Sequence, residues 1–277
     1  MRGGDPDTTI ALRGLAPATF CAGESAFIRR RTGVRPRVLH FGRLLIVFPA
    51  RWSQDSLMAL YRNRRDAGEK LAEALEDLRG KPDLLVLALP RGGVPVAEPV
   101  ARRLGAPLDV YVVRKIGFPG HEELAMGAVA SGGVVLVSPA LVERVPEEEF
   151  HWALERAVRE LRERERLYRG DRPPPEVAGR TVVLVDDGLA TGVIMRAAVE
   201  ALRRQGPREI VVAVPIASPE SCEDLAREVD RIVCAATPEP FHAVGLWYDD
   251  FSPTSDEEVQ EILRSTGGRE EAAEGTP

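Results

Sequence analysis

The chain has 277 residues, 44% of them hydrophobic and 29% charged, with a formal net charge of −6. That length and balance allow a sizeable buried core and exclude collagen-like, low-complexity and fully disordered chains. The acidic total disfavours nucleic-acid binding, and Cys21, Cys222 and Cys234 are too few and scattered for a disulfide framework, which points to a reducing cytoplasm.

In chain order, residues 1–57 differ from the rest. They hold nine arginines against four acids, including the run RRRTGVRPR at 29–37, and show no sustained period-2 or period-3.6 patterning. They are expected to be a disordered or misannotated extension that can be deleted without loss of folding or ligand binding. Met58 is a plausible alternative start. The longest apolar stretch, Leu44–Ala50, falls short of the roughly 20 residues a spanning helix needs. The opening MRGGDPD places acids where an export signal wants cations, and no early apolar run follows. No membrane segment is expected.

Organised patterning begins near Tyr61. Ala67, Leu71, Ala72, Leu75 and Leu78 share one helical face, and Gly80-Lys81-Pro82 ends that helix. Leu84–Leu89 is an unbroken apolar run, as in a strand buried on both faces. Pro90-Arg91-Gly92-Gly93 turns into a helix over Val94–Leu104. Leu108–Val113 is a second buried strand, and Arg114–Met126 reads as a long Gly/Pro-containing loop. Gly127–Val137 holds two short β-type runs about a Ser131-Gly132-Gly133 turn, and Pro146–Tyr168 is a long charged helix. Thr181–Val185, Ile210–Pro215 and Ile232–Ala235 are further strands. Helices fill the intervals, with Ser218 and Ser255 as N-caps. The domain is expected over 58–264, with a frayed tail at 265–277. Alternating strands and helices argue for an α/β fold with a mainly parallel sheet flanked by helices. In such folds ligands sit beyond the carboxyl ends of the strands.

The strongest chemical signal lies there. Val182–Val185 delivers the adjacent carboxylates Asp186 and Asp187, and the short loop Gly188-Leu189-Ala190-Thr191-Gly192 then opens a helix. Backbone N–H groups at a helix start, with the helix dipole, make a monophosphate cradle, and the Thr191 hydroxyl adds a donor. Carboxylates beside such a cradle suit sugar hydroxyls or hydrated Mg2+. An ordinary strand–turn–helix connection would not bring two acids to a buried strand end.

The stretch Val182–Gly192 resembles the signature of the type I phosphoribosyltransferase family, and the resemblance covers roughly 61–251. It implies a parallel sheet with a mobile loop and a small C-terminal hood. It also implies Asp186 and Asp187 on the ribose hydroxyls of phosphoribosyl pyrophosphate and Gly188–Gly192 on the 5′-phosphate. Mg2+ would be the cofactor, held by Asp186 and Asp187 through water. By the same resemblance Arg91, Gly92 and Gly93 would form the pyrophosphate loop. Arg114 and Lys115 would open the catalytic loop, with Lys115, Arg114 and Asp187 the catalytic residues. Trp247 and Tyr248, in the aromatic cluster Phe241–Phe251, would meet a planar base. Ile194 stands where the family often has Thr or Ser. Ala190 stands where hypoxanthine-guanine enzymes place a third acid, as in adenine-type members. His121, Glu122, Glu123 and His242 read as loop surface.

The activity implied is transfer of the 5-phosphoribosyl group to a nitrogen nucleophile, a nucleobase, with release of pyrophosphate, as in cytoplasmic nucleotide salvage. A homodimer is compatible with such a domain. The same fold could instead serve a non-catalytic regulator that senses phosphoribosyl pyrophosphate; no helix-turn-helix segment precedes residue 61, which weakens a repressor. A nucleotide-binding oxidoreductase would need GxGxxG after a strand, which is absent.

Overall fold

The computed structural model describes residues 37–41, 44–48, 59–170 and 172–267. Strands β3 (Leu84–Ala88), β8 (Thr181–Val185) and β9 (Glu209–Ile216) are the centre of a sheet, and every residue of the first two is buried. Their apolar runs do not alternate because helices cover both faces. Period-2 geometry still sorts the side chains. Val86, Val183 and Val211 enter one core layer with Leu71, Val96 and Val259. Leu85, Leu87, Val182 and Leu184 enter the other with Ala198, Leu202 and Leu225.

Helices α1 (Arg64–Ala74), α2 (Gly93–Leu104), α4 (Glu147–Arg169) and α7 (Asp256–Gly267) supply the first layer. Helices α5 (Val193–Arg204) and α6 (Pro219–Ala226) supply the second. The caps form as expected: Ser218 accepts from the Ser221 amide and Ser255 from the Glu258 amide. A short helix α3 (Pro139–Val142) precedes α4.

With β1 (Arg37–Phe41), β2 (Leu44–Phe48), β4 (Leu108–Val110) and β10 (Arg231–Ala236), the sheet runs β1-β2-β10-β9-β8-β3-β4. All neighbours pair parallel except β1 with β2. From β3 the chain steps outward to β4, whereas β8, β9 and β10 build in the opposite direction. The order therefore reverses between β3 and β8, and a crevice opens at the carboxyl ends of that pair. Arg91-Gly92-Gly93 follows one strand and Asp186–Gly192 the other.

Three expectations change. Residues 37–41 and 44–48, expected to lie outside the fold, form an antiparallel hairpin whose second strand lies parallel beside β10. Two five-residue strands are too short for a sustained period, which is why patterning missed them. The rest of 1–58 and the tail 268–277 lie outside the described residues, while 265–267 continue α7.

The segment 114–126 is not a loop. Strands β5 (Val113–Phe118), β6 (His121–Ala130) and β7 (Val134–Val137) form a separate antiparallel sheet. Register shifts about Gly117 make a bulge, and Pro119-Gly120 makes the turn. The glycines and proline that suggested a loop are thus hairpin devices. The strand expected over Leu108–Val113 divides accordingly, β4 staying in the main sheet and β5 joining the new one. Finally, Cys222 of α6 and Cys234 of β10, both fully buried, are joined by a disulfide that the small cysteine count did not suggest. Among the described residues no helix is long and apolar enough to cross a membrane.

The α1–α2 packing gives one test of this layer. A Cβ on Gly68 would lie 2.3 Å from the Val96 carbonyl oxygen and 2.5 Å from Pro99 Cγ. Gly68→Ala gains up to about 1 kcal/mol of helix propensity. Overpacking against backbone costs about 1–3 kcal/mol, so a lower denaturant midpoint with an unchanged m-value is expected.

Candidate functional site

Asp186 and Asp187 leave β8 at the crevice. The Asp187 amide donates to Asp186 Oδ1 at 2.8 Å, which holds the Asp186 carboxylate in place. Burial, followed by the Asp187 charge, pushes the Asp186 carboxyl well above the ordinary carboxylate range. Burial also raises Asp187, opposed by the Arg64 guanidinium beside it. An adjacent, shielded acid pair is costly unless a ligand, cation or partner offsets it.

The loop from β3 closes over this pair. A Cβ on Gly92 would fall 2.0 Å from Asp187 Oδ2, and one on Gly93 would fall 2.7 Å from the Val185 carbonyl oxygen. Only glycine permits this approach, which brings the 91–93 backbone to the acids. The Pro90–Arg91 peptide is cis. Arg91 is exposed, and its guanidinium lies 4.0 Å from Asp256 at the start of α7. Asp256 is also held by Arg164 at 2.8 Å and Tyr168 at 2.7 Å.

Beyond the acids, the loop is pinned at its middle. The Leu189 amide donates to the Ile216 carbonyl at 2.8 Å, the Ser218 amide donates to the Leu189 carbonyl at 2.9 Å, and the side chain is buried. Leu189 is therefore an anchor on β9 rather than a cradle donor, which corrects its assignment to substrate. Ala190 and Thr191 are exposed, and the Ala190 carbonyl accepts from the Ser218 and Ser221 hydroxyls. Gly192, at φ +70°, turns the chain into α5. The first amides of that helix have no partner within it, as at any helix N-terminus. Ile194 packs against the second core layer.

The aromatic segment lies on the other side. Tyr248 is buried between Tyr61 and Phe251, with ring centroids at 5.4 and 4.9 Å, and donates its hydroxyl to the Asp187 carbonyl at 2.6 Å. Burial, then the Asp187 charge, pushes this hydroxyl upward, so it stays a donor. Its ring faces are occupied by packing, which corrects the expectation that Tyr248 stacks on a base. Trp247 is half-buried beside it, and its carbonyl accepts from the Leu60 and Tyr61 amides. His242 is exposed.

Arg114 and Lys115 lie on β5. Arg114 Nε is 3.8 Å from Glu160 of α4, and Lys115 is exposed. The residue that sequence reading missed is Arg64, the first residue of α1. Its Nε and Nη2 each lie 2.9 Å from Asp187 Oδ2. It was legible only as one cation among the 37 lysines and arginines, because its partner is 123 residues away.

Residues 53–244 match the family model of the phosphoribosyl transferase domain. The chain belongs to this phosphoribosyl transferase domain family. A Mycobacterium tuberculosis protein provisionally named a phosphoribosyl transferase is 44% identical over 208 residues, in both strains compared, covering 74% of this chain and 47% of that protein. This phosphoribosyl transferase-family chain thus spans about half the length of the curated relatives it matches. The crystal structure of TT1426 from Thermus thermophilus is similar at 47% identity and a TM-score of 0.66, covering 74% of this chain and 98% of that one. The α/β fold expected from sequence is that of the phosphoribosyl transferase family.

The site also suits a hard cation. Among the described residues no group of three or more His, Cys, Asp or Glu is arranged to hold a metal. Two adjacent carboxylates completed by substrate oxygens and water are the donor set that Mg2+ takes. Asp186 and Asp187 would hold it.

Proposed function

We propose that this chain transfers the 5-phosphoribosyl group of phosphoribosyl pyrophosphate to a nitrogen nucleophile, a nucleobase, and releases pyrophosphate. The observation that carries the reading is the meeting of the Asp186–Asp187 pair with the Gly92–Gly93 backbone at the sheet's reversal point, immediately before the start of α5. Asp186 and Asp187 would bind the ribose hydroxyls, and Gly188, Ala190, Thr191 and Gly192 would hold the 5′-phosphate. Arg91, Gly92 and Gly93 would receive the pyrophosphate, and Trp247 would border the base. Mg2+, when bound, supplies positive charge against the pyrophosphate oxygens.

In the reaction the bond from the ribose anomeric carbon to pyrophosphate breaks, its electron pair leaving with pyrophosphate. The nitrogen lone pair forms the new bond. Positive charge develops at the sugar and negative charge at the leaving group. Catalysis is then mostly positioning and charge stabilisation, with Arg91 and Lys115 as the cations. Ala190, where a third acid would serve 6-oxopurines, favours other bases. Nucleotide salvage in the cytoplasm is the setting this activity implies.

The second reading is a sensor of phosphoribosyl pyrophosphate that does no chemistry. The long ion pair of Arg114 with Glu160, at 3.8 Å, lends it support, because it draws one of the two expected catalytic cations toward α4. Calorimetry with phosphoribosyl pyrophosphate and Mg2+ tests the site common to both readings, with saturable one-to-one binding expected. No heat at millimolar ligand would rule out both.

A further inference from the structure

Arg64 makes three kinds of contact at once. Its Nε and Nη2 edge meets Asp187 Oδ2, both at 2.9 Å. Its Nη1 donates to the Ser252 carbonyl at 2.7 Å, and its plane lies 3.8 Å from the centre of the Phe251 ring. The Arg64 and Asp187 side chains are only 11% and 18% exposed, so the pair is shielded from water and salt. A planar fork with stacking faces serves all three contacts; a lysine ammonium would serve only the charge.

The contacts converge on two parts of the chain that otherwise belong to different elements. On one side stand the acid pair and the loop after β8. On the other stands segment 244–252. Here Val244 packs so closely on Gly188 that a Cβ there would sit 2.4 Å from Val244 Cγ1. Tyr248 bonds the Asp187 carbonyl. Arg64 is itself held firmly: Asn63 caps α1 by accepting from the Asp66 amide at 3.0 Å, and the Asp249 and Asp250 amides donate to the Tyr61 and Arg62 carbonyls.

We propose that Arg64 is a positioning residue that ties the aromatic segment 244–252 to the Asp187 carboxylate and so sets the spacing between the sugar site and the acceptor site. Its effect on ligand binding rests on the function proposed above; the tether does not. The start of α1 is thereby part of the site, although it lies outside both loops that build the crevice.

Two variants separate the tether from the charge. Arg64→Gln removes both, whereas Arg64→Lys keeps a cation beside Asp187 and loses the Ser252 and Phe251 contacts. Amide hydrogen exchange without ligand is expected to speed up by ~10-fold or more over 244–252 in both variants, with β8 and β9 unchanged, because losing a charge-assisted bond lowers the local opening free energy. With phosphoribosyl pyrophosphate and Mg2+, Arg64→Gln is expected to bind ~10-fold or more weakly, and Arg64→Lys, which keeps the charge but not the tether, to recover little of that loss; recovery by lysine would make charge rather than positioning the cause. Unchanged exchange over 244–252 in folded Arg64→Gln would overturn the proposal. So would uniform acceleration through β8 and β9, which would make Arg64 a general stability residue. Equal affinity of wild type and Arg64→Gln would overturn the positioning role. If wild type itself binds no phosphoribosyl pyrophosphate, the functional reading fails while the exchange comparison still decides the tether.

Discussion

A protein carrying both Asp186→Asn and Asp187→Asn is expected to fold and to lose binding of phosphoribosyl pyrophosphate. Each carboxylate that receives charge-assisted bonds from a hydroxyl or hydrated cation contributes about 1.5–3 kcal/mol. Together the two substitutions should weaken binding by about 10²–10⁴-fold. Stability should move in the opposite sense from affinity. Burial raises both carboxyls in the folded state, so between their ordinary value of 3.8 and the raised one the folded protein binds more protons than the unfolded chain. Wild-type stability therefore falls as pH rises through that window. The double variant should lack this slope, offset only by the Arg64 charge that it leaves unpaired. Calorimetric titration together with unfolding midpoints between about pH 4 and 7 checks both statements. A folded double variant that binds as tightly as wild type would remove the acid pair from the site.

Lys115→Ala is expected to lower kcat by ~10²–10³, the scale of one contact made to charge that grows in the transition state. Affinity for phosphoribosyl pyrophosphate should change much less. Lys115 is chosen over Arg114 for this test because Arg114 lies 3.8 Å from Glu160, whereas Lys115 is exposed on a hairpin joined to the core by Ile116 and Met126. Single-turnover measurement of pyrophosphate release, compared with equilibrium binding, separates the two effects. An equal loss in binding and turnover would make Lys115 a ground-state contact only.

What could be read from sequence followed the range of the forces involved. The β8 run, the acid pair and the glycine before α5 lie within a dozen residues, so local patterning was enough to place them together. The meeting of Gly92 with Asp187 was legible only in outline. Arg91-Gly92-Gly93 marked a turn, but the approach to Asp187 depends on β3 and β8 being neighbours, with Ala88 opposite Val185. The cluster of Arg64, Tyr248 and Phe251 was not legible. Its bonds join residues far apart in the chain, and the arginine carries no pattern of its own. Tyr248 looked like an open stacking face because sequence shows that a ring is present but not what already covers it. The β5–β6 hairpin was hidden for another reason: Gly117, Pro119 and Gly120 are as common in loops as in bulges and tight turns. The hairpin of β1 and β2 was masked by the basic run before it and by strands too short to show a period.

The measurement that bears most directly on the proposed activity is pyrophosphate release from phosphoribosyl pyrophosphate with Mg2+, assayed against a panel of purine and pyrimidine bases. Release that depends on one class of base, with formation of the matching nucleotide and loss of both in Asp186→Asn with Asp187→Asn, is the expected result. Tight binding without release for any base would contradict the enzyme and leave the sensor.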